Sequence, residues 1–444
     1  MIRRVILVQP WREGRIWGKA PSAPYTLMRL ASLVPESVPV EIWDENAAAA
    51  DYGSLGDGDL VGITCKTLNA DRAREIAHIV RQRGATVVVG GTHATLLPEE
   101  VAEWADVVAV GEGYRTWPRI IADFDQGRLA SLYEDTSWGT LSGVATLSDR
   151  VIRQTNERRR YWTPYLEITR GCPRDCSFCT AIRVSGRVMR LRPVDEVVSE
   201  IQRRRIRRFF LTDDNFGLNF RINPGYVSQV FAALRNLPLR GWTAQAEAMV
   251  AHYPDLLDEA RSAHCEKLFV GFESVNPGNR KELGGKGHGE IAEAREVIKA
   301  IHDHGIGVVG LFVLGFDSDT PTVFQDTYDF IRGSGLDGVS LTVLTPYPGT
   351  ETRRDMAAQG RLLSGIPWSL HDTAHVTYRP AQMSVEQLRE GYDWLCRMVY
   401  GPGQIARRGW SFLSRYPLGD VPGKVIPALS TDVGYRFTYA YRHR

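Results

Sequence analysis

The sequence has little cysteine and no long apolar run: six cysteines occur in 444 residues, and no window approaches the ~18 uninterrupted apolar residues of a membrane-spanning helix. The apolar run that starts at Val5 ends at Gln9-Pro10, which is too early for a signal peptide. These absences argue against a disulfide-stapled secreted domain and against a membrane span. We therefore expect a protein of the reducing cytoplasm.

An excess of charge of one sign is also missing, because 54 basic and 52 acidic residues leave a formal net charge of +2. This balance gives no support for a nucleic-acid or membrane-surface partner. The basic run at residues 202–208 has no interleaved aromatic residue before Phe209, so it predicts the exposed end of a helix rather than an RNA site. The hydrophobic share of 43% and the charged share of 24% are those of an ordinary folded enzyme.

Half of the cysteines lie in one short stretch, EITRGCPRDCSFCTAIR, which contains Cys172, Cys176 and Cys179. An odd trio cannot pair internally, and close clustering in a cysteine-poor chain favours metal binding. Three thiolates can hold three irons of a 4Fe-4S cluster, so that the fourth iron is open to a small chelating molecule. Zinc and three unligated thiols remain as alternatives, but structural zinc wants four protein ligands, and no second CxxC lies nearby.

The CxxxCxxC spacing, with Phe178 just before the last cysteine, resembles that of the radical S-adenosylmethionine (SAM) superfamily. The later segments TDDNF, FVGFES and VGLFVLGF are similar to this family as well. The resemblance implies that the open iron chelates SAM and that an external one-electron reductant, of the flavodoxin or ferredoxin type, supplies electrons. The implied SAM contacts are Phe178, an acidic residue at Asp213 or Asp214 for the amino group, Gln245 for a polar part, and Glu273 and Ser274 for the ribose.

These SAM contacts have local alternatives. Asp213 could cap the next helix, and Glu273 could pair with a nearby basic residue. The family's usual glycine-rich motif after the second strand is not matched literally, which makes Asp213 the weakest assignment of the set.

Strand patterns after residue 158 recur on a long cycle and predict a partial (β/α)6 TIM-like barrel with an open side for a large substrate. Polar residues follow the strands, which is where barrel enzymes carry their chemistry, and Tyr347 after the sixth strand is a candidate substrate contact. The predicted strands are Leu166–Thr169, Arg207–Leu211, Trp242–Glu247, Leu268–Phe272, Val308–Leu314 and Gly338–Leu344.

Before residue 126, strands alternate with helices and end in glycine-rich turns, which predicts an α/β, doubly wound Rossmann-like sheet with its ligand at the carboxyl edge. The order of these turns looks like that of the cobalamin-binding domain found before some radical SAM barrels. The cobalamin contacts that this resemblance implies are Gln9, Pro10, Thr64, Cys65, Lys66, Gly90, Gly91, His93, Gly111 and Glu112.

Several of these contacts also have structural interpretations. Glycines are needed for tight turns in any such sheet, and Cys65 could be a small buried residue that packs in the core. The DxHxxG motif that supplies a histidine to cobalt elsewhere is absent. We therefore expect no protein histidine on cobalt, and expect His93 to contact the nucleotide tail or a backbone group.

The domain prediction is a cobalamin-binding domain at 1–125, a linker at 126–157, the radical SAM barrel at 158–360, and a small C-terminal domain at 361–444 that covers the substrate opening. Within the linker, alternation over residues 143–152 predicts a hairpin.

The two implied cofactors together predict a methyltransferase that methylates an unactivated carbon of a small molecule, a natural product or lipid, without a general base. The enzyme alternative is a methyl-free cyclase, oxidase or rearrangement enzyme that keeps both cofactors. A cobalamin sensor or carrier would leave the cysteine motif unused. A methylthiotransferase would need three further cysteines in the first domain, where only Cys65 occurs.

Overall fold

The computed structural model describes residues 2–11, 22–143, 146–155, 161–283, 291–415 and 432–436. These residues form two six-stranded parallel sheets with helices packed on them, and a two-stranded antiparallel ribbon. In the described ranges, no helix is long and apolar enough to cross a lipid bilayer.

The first sheet is doubly wound, as predicted. Its strands run in the order β2-β1-β3-β4-β5-β6, with all neighbours parallel, so the order switches between β1 and β3. Ligands of such sheets bind outside the carboxyl ends of the strands at this switch. The strands are β1 (Arg4–Gln9), β2 (Val40–Asp44), β3 (Asp59–Thr64), β4 (Thr86–Gly90), β5 (Val107–Gly111) and β6 (Leu132–Asp135).

Alternate residues of the same strands feed two separate cores. Val5 and Leu7 pack under one set of helices, whereas Ile6 and Val8 pack under the other. The buried strands therefore read as continuous apolar runs. The helices of the first face are α1 (Tyr25–Ser32), α5 (Gly113–Asp125) and α6 (Asp149–Thr155), and those of the second are α2 (Ala70–Gln82), α3 (Thr92–Leu96) and α4 (Pro98–Ala102).

The segment predicted as a linker contributes to the first domain. Strand β6 extends the sheet past the predicted limit at residue 125. The predicted hairpin at 143–152 is wrong, because α6 begins at Asp149 and its Val151 is buried in the core below α1. Spaced apolar residues here serve one face of a helix rather than alternate faces of a strand. The predicted boundary at 157 lies outside the described residues.

The second sheet has the order β14-β13-β12-β11-β10-β7 with all neighbours parallel, which confirms the partial six-stranded barrel. Its strands are β7 (Tyr165–Leu166), β10 (Arg208–Leu211), β11 (Gly241–Ala246), β12 (Cys265–Glu273), β13 (Gly307–Leu314) and β14 (Gly338–Val343), and the ribbon is β8 (Thr169–Arg170) with β9 (Arg190–Leu191).

The remaining helices surround the barrel. They are α7 (Ala181–Val184), α8 (Val194–Arg203), α9 (Asn219–Ile222), α10 (Pro224–Arg235), α11 (Pro254–Ser262), α12 (Ile291–Asp303), α13 (Val323–Ser334), α14 (Glu351–Ala358), α15 (Val385–Val399) and α16 (Pro402–Leu413). The basic run at 202–208 is not a solvated surface throughout, because Arg204 is buried against Glu200 and Arg208 pairs with Glu266.

The C-terminal helices cover the outer edge of β14. The Tyr400 hydroxyl donates to the Val339 carbonyl and accepts from the Leu341 N–H, and the Tyr392 hydroxyl donates to the Leu341 carbonyl. Asp432 accepts from the Val339 N–H. An exposed edge strand needs such partners. These bonds place Tyr392 of α15, Tyr400 and Asp432 along the outer edge of β14, and the covering of the substrate opening by residues 361–444 stays a prediction.

Candidate active site at the junction of the two sheets

The three clustered cysteines lie in one loop, residues 171–180, between β8 and α7. None of the six cysteines forms a disulfide; Cys172 and Cys176 are buried, and Cys179 is half-buried. Gly171 opens the loop with a φ of +97°, and a Cβ there would lie 2.2 Å from the Val188 carbonyl oxygen, so glycine is required. The Cys172 N–H donates to the Gly186 carbonyl at 3.1 Å.

Two carboxylates after β10 hold the backbone that leads into this loop. Asp213 accepts from the Ile168 N–H at 2.9 Å and from the Thr169 N–H at 2.7 Å, and Asp214 accepts from the Gly171 N–H at 2.9 Å. Burial raises the pKa of Asp213 to about 7. One acidic residue, Asp213 or Asp214, was predicted to meet the SAM amino group. In the structure Asp213 accepts from the protein backbone, because buried N–H groups need acceptors, and the role toward SAM stays a prediction.

Glu247, directly after β11, was missed by the sequence reasoning. Its carboxylate accepts from Arg174 Nε at 2.9 Å, and Asn215 Nδ2 also donates to it. Arg174 lies between the first two cysteines, so this ion pair ties the middle of the loop to the barrel. A carboxylate at the carboxyl end of a barrel strand was the available signal.

The loop also contacts the segments that follow β12, β13 and β14. The Ser177 N–H donates to the Glu282 carbonyl at 3.3 Å, and the Ser177 carbonyl accepts from the Thr352 N–H at 3.1 Å. The Phe178 ring packs edge-on against Phe316, with ring centroids 5.6 Å apart. The three thiols therefore lie over the carboxyl end of the barrel.

The other predicted SAM contacts lie at this end of the barrel. Glu273 ends β12 with a φ of +62°, which is uncommon for a residue other than glycine. Residues in this backbone conformation cluster at functional sites. Ser274 Oγ accepts from the Asn276 N–H at 3.1 Å and from Asn279 Nδ2 at 2.9 Å. Gln245 is half-buried on β11, and Tyr347 is half-buried after β14. Their roles toward SAM and substrate stay predictions.

At the first sheet, the predicted cobalamin contacts gather at the carboxyl ends of β1, β3, β4 and β5. Gln9, Thr64 and Gly90 are partly exposed there and Lys66 is exposed, whereas Pro10 is buried. Gly91 and Gly111 have structural reasons to be glycine. A Cβ on Gly91 would lie 2.8 Å from the Cys65 carbonyl oxygen, and one on Gly111 would lie 2.0 Å from that of Asp135.

His93 and Cys65 are both fully buried. The His93 Nδ1 lies 3.4 Å from Thr67 Oγ1, and its ring packs edge-on against Trp368 at 5.1 Å. Burial lowers the pKa of His93 and raises that of Cys65. The structure thus places His93 under a side chain of the C-terminal region, and Cys65 in the core beside α2.

Glu112 was predicted to contact cobalamin, but its carboxylate accepts from Arg190 Nη2 at 2.7 Å and from Arg170 Nη1 at 3.1 Å. These two arginines flank the cysteine loop in the ribbon β8-β9. Farther along the junction, a Cβ on Gly349 after β14 would lie 2.8 Å from Leu96 of α3. The carboxyl edges of the two sheets therefore share one junction.

Comparison with known proteins identifies both halves. Residues 166–331 match the Radical SAM superfamily, and residues 47–121 match the B12 binding domain. Over 96% of its length the chain is 30% identical to the bacteriochlorophyllide d C-12(1)-methyltransferase of Chlorobaculum tepidum, of which it covers 95%. The chain belongs to the cobalamin-dependent radical SAM enzymes.

Two further comparisons agree with this assignment. This chain is 25% identical to the hopanoid C-2 methylase of Rhodopseudomonas palustris, over 77% of this chain and 65% of that protein. The solved structure of the radical SAM methyltransferase TsrM from Kitasatospora setae, with cobalamin and a 4Fe-4S cluster bound, has the same fold. The TM-score is 0.66 at 17% identity, with 100% of each chain covered.

The cofactors of this radical SAM enzyme are a 4Fe-4S cluster, SAM and cobalamin. Three thiols on one loop fit a cluster that is held at three corners. In the part of the chain that the structure describes, no three His, Cys, Asp or Glu side chains converge as they would around a single metal ion. The polar side chains that would contact cobalamin are Gln9, Thr64 and Lys66, which are at least partly exposed beside the switch between β1 and β3.

Proposed function

We propose that this chain is a methyltransferase that adds a methyl group to an unactivated carbon of a small molecule. The observation that carries the proposal is the shared junction, at which Glu112 after β5 meets Arg170 before the cysteine loop. When bound, the cluster with SAM supplies a hydrogen-abstracting deoxyadenosyl radical, and cobalamin supplies a methyl group. A substrate carbon in the junction would lie between the two without a large domain movement.

The chain's own contribution is to bind and orient. The loop residues that flank the cysteines are fixed by Asp213, Asp214 and Glu247, so that the thiols keep one arrangement over the barrel. The Phe178–Phe316 contact adds apolar surface that helps to exclude water. We assign no general base, because holding a carbon radical close to a methyl group requires position rather than proton transfer.

The relatives support methyl transfer over the methyl-free alternative, since the two named above are C-methylating enzymes. One acts on a bacteriochlorophyllide and the other on a hopanoid. We extend to this chain the common part, a natural-product or lipid substrate. A cytoplasmic location and a flavodoxin- or ferredoxin-type reductant complete the proposal.

The test is incubation of the reconstituted, reduced enzyme with methyl-labelled SAM and candidate metabolites, followed by mass spectrometry. We expect two SAM molecules to be consumed per product, with S-adenosylhomocysteine and deoxyadenosine released in near-equal amounts. If deoxyadenosine forms with the true substrate but no labelled methyl reaches the product, the methyl-free cyclase, oxidase or rearrangement function replaces this one.

A further inference from the structure

A buried set of ion pairs joins the first domain to the strand that enters the cysteine loop. Arg170 lies two residues before the first cysteine, and carboxylates hold it from both sides. Glu112 of the first domain accepts from Arg170 Nη1 at 3.1 Å, and Glu167 of the barrel accepts from Arg170 Nε at 2.8 Å and Nη2 at 2.6 Å. We call Glu112, Arg170 and Glu167 the junction clamp.

The clamp is braced by three further side chains. Arg190 donates to both carboxylate oxygens of Glu112, at 2.9 and 2.7 Å. Arg29 of α1 donates to Glu167 Oε2 at 2.5 Å and to the Tyr114 hydroxyl at 3.0 Å, and Arg170 also donates to that hydroxyl. Each carboxylate of the clamp thus binds two arginines, and each domain supplies an acidic and a basic member to the whole set.

Burial indicates that the clamp serves geometry more than stability. The side chains of Glu112, Glu167 and Arg170 are 7%, 9% and 17% exposed. The desolvation of buried ion pairs offsets much of their attraction, so they add little net stability compared with apolar packing. The two-point contact of Arg190 with both oxygens of Glu112 fixes the orientation of that carboxylate. Arg170 then joins it to Glu167 by one hydrogen bond to Glu112 and by two to a single oxygen of Glu167.

The clamp's position in the chain shows which geometry it fixes. Glu112 directly follows β5 at the edge where the first sheet meets its ligand, in the turn Gly111-Glu112-Gly113. Arg170 directly precedes Gly171, whose left-handed backbone starts the loop of thiols. One ion pair therefore links the two cofactor-bearing segments with few intervening bonds, so a shift of either segment is transmitted to the other.

We propose that the junction clamp sets the separation between the cobalamin edge and the cysteine loop, and that Glu112 and Arg170 are positioning residues that couple radical formation to methyl transfer. The inference rests on the proposed function and adds to it the residues that hold the two half-reactions together. Loss of the clamp should leave each cofactor bound in its own domain while the two reacting centres lose their fixed spacing.

The first experiment compares Glu112→Gln with wild type under the assay above. Gln keeps the shape of the side chain and removes its charge. We expect the ratio of deoxyadenosine to methylated product to rise about tenfold or more, because small misplacements are costly in positioned reactions. SAM cleavage per cluster should stay within about twofold, since the cysteine loop itself is intact.

The matched control is Glu266→Gln, which removes another buried carboxylate, 1% exposed and paired with Arg208 at 2.9 Å, at the amino end of β12. Its product ratio should equal that of wild type. Arg170→Lys keeps the charge but replaces the three nitrogens that bond Glu112 and Glu167 by one. It should give an intermediate ratio, and it serves if Glu112→Gln does not fold. A loss of both products in constant ratio would mean that the clamp is only structural and would overturn the proposal.

A second readout needs neither substrate nor turnover. In the protein loaded with cob(II)alamin and the reduced cluster, pulsed electron paramagnetic resonance reports the distance between the two paramagnetic centres. We expect one narrow distribution in wild type and in Glu266→Gln, and a broadened or shifted one in Glu112→Gln. An unchanged distribution would refute the clamp. If wild type makes deoxyadenosine but no methylated product, the proposed function fails, whereas this measurement still decides the clamp.

Discussion

Single residues around the cysteine loop each have a physical reason for their identity. Gly171 is fixed by its left-handed backbone and by the Val188 carbonyl, and Asp213 is fixed by the buried N–H groups that it accepts from. The three thiols, of which Cys172 and Cys176 are buried and Cys179 is half-buried, are the side chains predicted to bind the cluster. They are therefore the residues whose replacement should change chemistry more than folding.

Cys176→Ala should abolish cluster binding and SAM cleavage, because only two thiolates would remain on the loop. Cobalamin binding should be largely intact, since the first domain has its own two cores. Iron content and deoxyadenosine formation measure the first effect, and the corrin absorbance measures the second. Cys396→Ala, a buried cysteine of α15, is the control and should keep its iron. Cleavage at the wild-type level in Cys176→Ala would contradict the assignment.

Glu167 should make the stability of the protein depend on acid pH. Burial alone would raise its pKa, but Arg170 and Arg29 lower the pKa to about 2. A carboxyl with a lowered folded-state pKa stabilises the fold above its unfolded pKa and loses this contribution as the pH falls through the folded value. Glu167→Gln should cost about 3–5 kcal/mol of unfolding free energy near neutral pH, because it leaves the buried charges of Arg29 and Arg170 without this carboxylate.

This difference should shrink as the pH falls from about 4.5 towards 2, the ordinary and folded-state values of Glu167. Urea unfolding of both proteins at a series of pH values measures it. A difference that stays constant with pH would show that the cost is one of packing rather than of charge.

His93 should not bind cobalt. Its side chain is fully buried between Thr67, Glu100 and Trp368, and its Nε2 lies 3.5 Å from Glu100 Oε1. The electron paramagnetic resonance spectrum of the cob(II)alamin form should lack the superhyperfine splitting of a nitrogen ligand, and His93→Ala should leave the spectrum unchanged. A nitrogen triplet that disappears in His93→Ala would make His93 the ligand.

At the scale of elements, strand β14 depends on side chains of α15 and on the residue after it for its outer hydrogen bonds. Tyr400→Phe removes the hydroxyl that serves both the Val339 carbonyl and the Leu341 N–H. Two backbone groups would then be buried without these partners. We expect a loss of about 1–3 kcal/mol in the free energy of unfolding of the apoprotein, measured in urea.

The cofactor spectra of Tyr400→Phe should be unchanged, because β14 is the opposite edge of the second sheet from β7, the strand that leads toward the cysteine loop. A stability equal to that of wild type would show that other groups or water can satisfy the edge of β14.

At the scale of the whole molecule, a segment from the C-terminal region ties the barrel to the first domain. Trp368 Nε1 donates to Glu100 at 2.8 Å, and the Ser369 N–H donates to Asp71 at 3.0 Å. The Arg353 guanidinium lies over the Trp368 ring at 5.0 Å. Residues 366–371 thus reach the junction.

Trp368→Ala should loosen the coupling between the two domains, at a cost of about 1–3 kcal/mol for a half-buried ring. Calorimetry should show the first domain unfolding earlier, as a separate transition. Trp410→Ala is the matched control, because that ring on α16 is 76% exposed. Its free energy of unfolding should stay within about 0.5 kcal/mol of that of wild type, as is typical of surface substitutions. A single unshifted transition in Trp368→Ala would show that the ion pairs of the junction suffice.

The sequence determined the features that depend on neighbouring residues in the chain. The spacing of Cys172, Cys176 and Cys179 indicated the cluster, and apolar runs ending in polar or glycine turns indicated two parallel sheets, because strand periodicity and turn chemistry are local. The hairpin at 143–152 failed because short alternation also fits one face of a helix, and only packing against α1 decided between them.

The tertiary structure alone decided which partner each polar side chain of the junction has. Glu112, predicted to contact cobalamin, pairs with Arg170, and Asp213, the weakest of the predicted SAM contacts, accepts from backbone N–H groups. Arg29 and Glu167 are 138 positions apart in the chain, yet they form one ion pair. A carboxylate at a strand end can bind a ligand or an arginine equally well. How the two sheets dock decides which of them it meets.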